Sequence, residues 1–259
     1  MPLTTAEIAA FVGAGAWLPQ VFTWIHKATT RPKLTIIPAK AAEIGFTTFG
    51  PIFNLRLALA VDRNDIIVTK LSVRLIHENG EHREFSWQGM KQTFSAIHDR
   101  SGIQQGSVEK DQVAIALKIR TSDLAELFFR FQEDRFDKHV NPIQREAEKH
   151  RQYLESQKKD YHDEFLRSEK YCALVNAHKE FFWWRPGTYQ VKFVAESSQK
   201  LRMGPGKFEF ELTPADVDAL RANLNLIAAS YEQQVKAALP GYSGSPVRWA
   251  WRNPVLTTA

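Results

Sequence analysis

A single cysteine, Cys172, stands in 259 residues, which excludes an internal disulfide and with it the stapled scaffolds of small secreted domains. Metal-ligand spacings are missing too. There is no His-Glu-x-x-His and no paired Cys-x-x-Cys, the patterns that put donors on one helix face or around a tetrahedral zinc. No Gly-x-Ser-x-Gly elbow presents a nucleophile, and Tyr171-Cys172-Ala173-Leu174 reads as a helical context in which the thiol packs. Phosphate-cradling loops are also absent: Gly13-Ala14-Gly15 lacks a third glycine, and Gly204-Pro205-Gly206 lacks a following Lys-Ser/Thr. The 34 Lys and Arg are interleaved with 29 Asp and Glu. A formal charge of +5 therefore does not mark a nucleic-acid arm.

Charge is likewise absent from Ile8 to Ile25, after which His26, Lys27, Arg31 and Lys33 form a basic flank. Such a run reads as a membrane anchor within residues 1–30, carried by Ile8, Phe11, Val12, Trp17, Leu18, Phe22, Trp24 and Ile25. Juxtamembrane Lys27, Arg31 and Lys33 direct the following chain into the cytoplasm and toward anionic lipid. The run is short against the roughly 20 residues a bilayer needs, and it contains Pro19, Gln20 and Thr23. A buried core helix, an interfacial helix and a cleaved signal peptide are the alternatives; the missing basic n-region weighs against the last. The expected location is a single-pass membrane protein with a cytoplasmic domain, the alternative a soluble cytoplasmic one.

Residues 31–259 carry strand patterns. Leu34–Pro38 is a short apolar run, and Phe53, Leu55, Leu57, Leu59 and Val61 alternate with smaller or polar residues, as in an antiparallel sheet with one solvated face. Asn79-Gly80 between Ile66–Ile76 and Arg83–Trp87 is the strongest hairpin signal, with a type I′ turn expected. Val113–Ile119, Thr188–Val194 and Lys207–Leu212 alternate as well, while Leu124–Phe131 is ambiguous between strand and helix. Short strands without regular βαβ alternation predict a mainly β, α+β fold built on an antiparallel β-sandwich.

Helix formers dominate 141–182, where Pro142 suits a first turn. Ala147, Leu154, Tyr161, Ser168 and Val175 recur every seven residues with Phe165 beside them, a stripe too narrow for a coiled coil. This insertion is expected to form an exposed helical arm with Leu154, Tyr161 and Phe165 as partner contacts; Leu174–Trp184 returns it to the core. A last helix over 214–239 is announced by Thr213-Pro214, an N-cap followed by proline, with Val217, Leu220, Leu224, Ile227 and Tyr231 on one face. The tail Val247-Arg248-Trp249-Ala250-Trp251-Arg252 fits either a membrane interface or a final edge strand.

Among the eight histidines, His77 and His82 with Glu78 and Glu81 surround the tight turn, and Glu146 and His150 are four apart on the arm; neither set extends to a metal motif. The segment Ala42-Glu43-Ile44-Gly45-Phe46-Thr47-Thr48-Phe49-Gly50-Pro51, followed by Phe53–Leu57 and the hairpin to Trp87, resembles a group of uncharacterised bacterial proteins in which a short hydrophobic segment precedes a β-rich region. The strand spacing is similar to immunoglobulin-like or arrestin-like sandwiches, and Pro186-Gly187-Thr188-Tyr189 resembles the approach to a tyrosine corner. These likenesses imply a fold and no activity. The chain thus reads as a membrane-tethered protein-interaction module of a bacterial multi-protein system, with a protein partner or a second copy of itself, membrane lipid through its N-terminus, and no cofactor. An enzyme or small-ligand binder with scattered site residues is the second reading, and a weak nucleic-acid or anionic-lipid binder the third.

Overall fold

Alternation over residues 50–61 sets the architecture, because a strand with every second side chain apolar must bury that face against something. The computed structural model describes residues 17, 19–23, 31–98, 104–113, 115–121, 123–157, 161–204, 206–237 and 242–258, the side chains of 91–98 and 104–112 excepted. In chain order the strands are β1 (Lys33–Pro38), β2 (Glu43–Thr47), β3 (Gly50–Val61), β4 (Ile66–His77), β5 (His82–His98), β6 (Gln104–Val113), β7 (Leu117–Ile119) and β8 (Ala125–Glu133). Three helices follow, α1 (Asp134–Gln157), α2 (His162–Leu166) and α3 (Glu169–Glu180). Then come β9 (Gly187–Ser197), β10 (Arg202–Met203), β11 (Phe208–Leu212), helix α4 (Pro214–Lys236), β12 (Trp251–Arg252) and β13 (Thr257–Thr258).

All of these strands join one curled sheet ordered β10-β1-β3-β8-β5-β4-β9-β11-β13, with β2 beside β3, β12 beside β2, β6 beside β5 and β7 beside β4. The expected sandwich is corrected here: helices, not a second sheet, close the inner face. Strand alternation specifies that one face is covered and is silent about the cover. Inside the curl the aromatic rings stack, Phe53 on Phe210 at 5.9 Å, Tyr189 on Phe210 at 5.0 Å, and Phe85 on Trp184 at 6.0 Å. Each such pair adds about 0.5–1.5 kcal/mol to the burial itself.

The helical insertion begins at Asp134, earlier than its composition suggests, and Pro142 lies inside α1. Phe136 and Val140 are buried, so tertiary packing overrides the local preference for a start at proline. Leu154, Tyr161 and Phe165, expected on a projecting arm, are all at most 5% exposed. They fold the helices onto one another: Phe165 meets Tyr171 edge-on at 5.6 Å, and Arg151 donates to the Tyr161 hydroxyl at 3.2 Å. Trp183 and Trp184 do return the chain to the core. Cys172 is exposed rather than packed.

Other local readings hold in outline and differ in detail. The hairpin at Asn79-Gly80 forms, but only Gly80 has positive φ, at 88°. Gly80 N–H donates to His77 O and His77 N–H to Glu81 O, which makes a three-residue type I turn with a glycine bulge instead of type I′. Val113 and Ile115 are exposed and only Leu117 and Ile119 turn inward, because the alternating run is split between β6 and β7. The ambiguous stretch from Leu124 to Phe131 resolves as strand from Ala125 onward, within β8. Helix α4 opens at the expected N-cap Thr213 with Pro214 behind it, and Asp216 completes a capping box. Tyr189 donates to Arg185 O at 2.9 Å and accepts from Arg185 N at 2.8 Å.

The membrane anchor is corrected. Among the described residues no helix is long and apolar enough to cross a membrane. Near the N-terminus the described residues 17 and 19–23 are helical, with Trp17 and Phe22 exposed by 66% and 74%. Ile8, Phe11, Val12, Leu18, Trp24, Ile25 and Lys27 lie outside the described residues. Lys33 is the first residue of β1, its amide held by Asp62 Oδ1 at 2.6 Å, and Arg31 lies just before it. The tether, the lipid partner and the single-pass location do not stand.

Glu133 ends β8 facing inward and is 2% exposed. Burial pushes its carboxyl up to about 7, against the backbone N–H groups of Phe136 and Arg135 that favour the charged form. A folded-state value above the ordinary 4.5 means that stability is fully present below pH 4.5 and is lost as pH rises through 7. Denaturant unfolding between pH 4.5 and 8 should show this decline, up to about 3 kcal/mol, and Glu133→Gln should flatten it.

Candidate functional site

Helices cover the inner face of the sheet, and on the outer face the strands β2, β3 and β8 leave a groove of about 1220 Å³. Its floor comes from the outward positions of strands whose inward positions are core. Register aligns Glu43, Asn54 and Arg130 in one row across three strands, Arg56 and Phe128 in the next, and Ile52 and Gln132 on the other side. Neighbouring strands are about 4.8 Å apart, so the row presents a carboxylate, an amide and a guanidinium within about 10 Å. The far wall is Leu117, Lys118, Asp123 and Leu124; the near wall is Trp249 and Trp251.

The near wall exists because the C-terminal segment is fastened along β2. Trp251 pairs with Gly45 and Arg252 with Ile44, so of the two readings of the tail the structure takes the edge strand. Asn223 on α4 is fully buried and bonds through both ends of its amide: Nδ2 donates to Phe46 O at 3.0 Å and to Ala250 O at 2.8 Å, while Oδ1 accepts from Ala250 N at 2.8 Å. Arg252 Nε adds an ion pair to Asp216 Oδ1 at 3.1 Å. Gly45 makes room for the indole. A Cβ there would stand 2.4 Å from the Trp251 ring, and the same residue's carbonyl accepts from Trp184 Nε1 at 3.0 Å on the core side.

Several charges of the groove are engaged. Arg56 pairs with Glu126 at 3.5 Å and Lys118 with Asp65 at 3.6 Å. Gln132 Nε2 donates to Phe49 O at 2.7 Å and to Asp137 Oδ1 at 3.0 Å, which fixes the loop carrying the exposed Phe49. Asn54 differs from its neighbours. Although it faces outward it is only 6% exposed, and its Oδ1 has no hydrogen-bond partner among the described residues. An unpartnered buried amide oxygen costs about 1–3 kcal/mol, so its retention in the groove's lining calls for a physical reason.

Beneath the rim, His178 is fully buried between helices, its Nδ1 2.8 Å from Leu174 O and its Nε2 3.1 Å from both Thr48 O and the Tyr231 hydroxyl. Burial lowers its proton affinity and raises that of the Tyr231 phenol. This cluster braces Thr48, a groove residue, and does not open into the groove's polar floor.

Sequence reasoning found the two tail tryptophans but missed the floor, since Asn54, Arg56, Glu126 and Arg130 look like the solvated positions of ordinary strands. The histidine sets do not assemble. His77 is buried, Nε2 3.1 Å from Pro186 O, while His82 pairs across from Ile76 and is exposed; Glu146 is ion-paired to Lys149 at 2.9 Å. Among the described residues no group of three or more His, Cys, Asp or Glu is placed to hold a metal ion.

Two substitutions test the assembly of the near wall. Asn223→Ala leaves Phe46 O and both polar groups of Ala250 without their partner and should cost about 2–3 kcal/mol, with faster tryptic cleavage at Arg252. Gly45→Val should expel the Trp251 ring, read as a red shift of tryptophan emission, at an overpacking cost of about 1–3 kcal/mol.

No protein-family model, no curated protein and no solved structure matches this chain, and the groove is therefore interpreted on its own chemistry.

Proposed function

We propose that this domain binds a small polar ligand in the groove on the outer face of its sheet. The observation that carries the reading is Asn54, a residue of the cavity's lining whose side-chain oxygen is buried without a partner. Two further features support it. Aromatic walls stand over a polar floor, the usual division between affinity and orientation. The tail that supplies Trp249 and Trp251 is fixed by Asn223, Arg252 and strand pairing, so the wall is formed before a ligand arrives.

A set of neutral and charged compounds of one to several rings, followed by thermal unfolding and tryptophan emission, tests the reading. Compounds that bind should raise the melting temperature of the wild type, with about 2.7 kcal/mol of stabilisation at a hundred times Kd, and should lose that effect on Trp251→Ala. A set with no binder, or binders that stabilise both proteins equally, would overturn the groove as the site.

A further inference from the structure

We infer that the ligand is a neutral saccharide of two or more units, an inference that rests on the groove being the binding site. Charge is the first reason. The groove is lined by Arg56, Lys118 and Arg130 and by Glu43, Asp123 and Glu126, three cations against three carboxylates. Arg56 and Lys118 are ion-paired already. An anionic or cationic ligand would have to separate such a pair, whereas a hydroxyl both donates and accepts and fits a row of alternating carboxylate, amide and guanidinium without displacing anything.

The backbone supplies the second reason. An extended peptide binds a sheet by adding a strand to a free edge, but the floor strand β3 is paired on one side with β1 and β2 and on the other with β8. Its main chain has nothing to offer, and recognition falls to side chains on the sheet's face.

Shape and polarity supply the third. The Trp251 ring packs against Gly45, whose missing side chain makes room for it on the sheet, and the residue remains 36% exposed. A sugar ring pairs an apolar C–H face with an edge of hydroxyls, which matches an indole face beside donors and acceptors. The unpartnered amide of Asn54 belongs to the same lining, and the cavity's volume of about 1220 Å³ leaves room for more than one ring.

Cellohexaose, maltohexaose and N-acetylchitohexaose, titrated by calorimetry and by tryptophan emission, test this directly. At least one should bind the wild type, at least tenfold more weakly to Trp251→Ala and less weakly to Trp251→Phe, with Kd unchanged within twofold between 0.1 and about 0.5 M salt because no net charge is neutralised. Trp251 sits on an edge strand, so these variants keep the fold, and their melting curves verify it. If none of the three binds while nucleosides or acidic single-ring compounds bind in a Trp251-dependent way, the saccharide inference is overturned and the groove stands. If nothing binds in a Trp251-dependent way, both fall together.

Discussion

The buried amide of Asn223 is the contact on which the outer face depends. It is the only point at which helix α4, strand β2 and the C-terminal segment share one group among the hydrogen bonds described above, and all three of those bonds are internal. A polar side chain at 0% exposure is tolerated only when its donors and acceptors are matched. Here the matching is directional, because reversing the amide would set donor against donor at Ala250 N. The cost of burying the group thus buys specificity: the tail can dock in one register, and that register puts Trp249 and Trp251 at the groove.

Helices and tail act on opposite faces of the same sheet. Inside, Trp184 and the stacked rings of Phe53, Tyr189 and Phe210 fill the curl. Outside, among the described residues, the tail and the residues around β7 wall a depression whose lining includes the polar row Glu43, Asn54 and Arg130. The +5 charge of the chain is not concentrated there, since cations and carboxylates balance along the lining.

Much of the secondary structure was legible in the residues. Alternation along Phe53–Val61, Asn79-Gly80, and Thr213-Pro214 with Asp216 each specify an element through local physics, and each element forms. What failed was the assignment of covers and faces. A heptad-like stripe through Leu154 and Tyr161 shows that something packs on it but not whether that is a partner or the chain itself. The apolar stretch at 8–25 has the composition of an anchor without a described helix of sufficient length. Asn223 occupies a core position that a hydrophobic pattern passes over, and Asn54 resembles any solvent-facing strand residue until the tail, nearly two hundred positions away, is brought over the sheet. Both are long-range facts, and no local signal encodes them.

Gly45 and Trp251 occupy one another's space. The ring fills the volume in which a side chain at Gly45 would stand, and the partnership is fixed by strand register. Neither position is free to drift alone: a larger residue at one end of the chain is tolerable only with a smaller one at the other. Across descendants of this sequence the two sites should therefore change as a single heritable unit, and a glycine near the start of a related chain would announce the aromatic near its end.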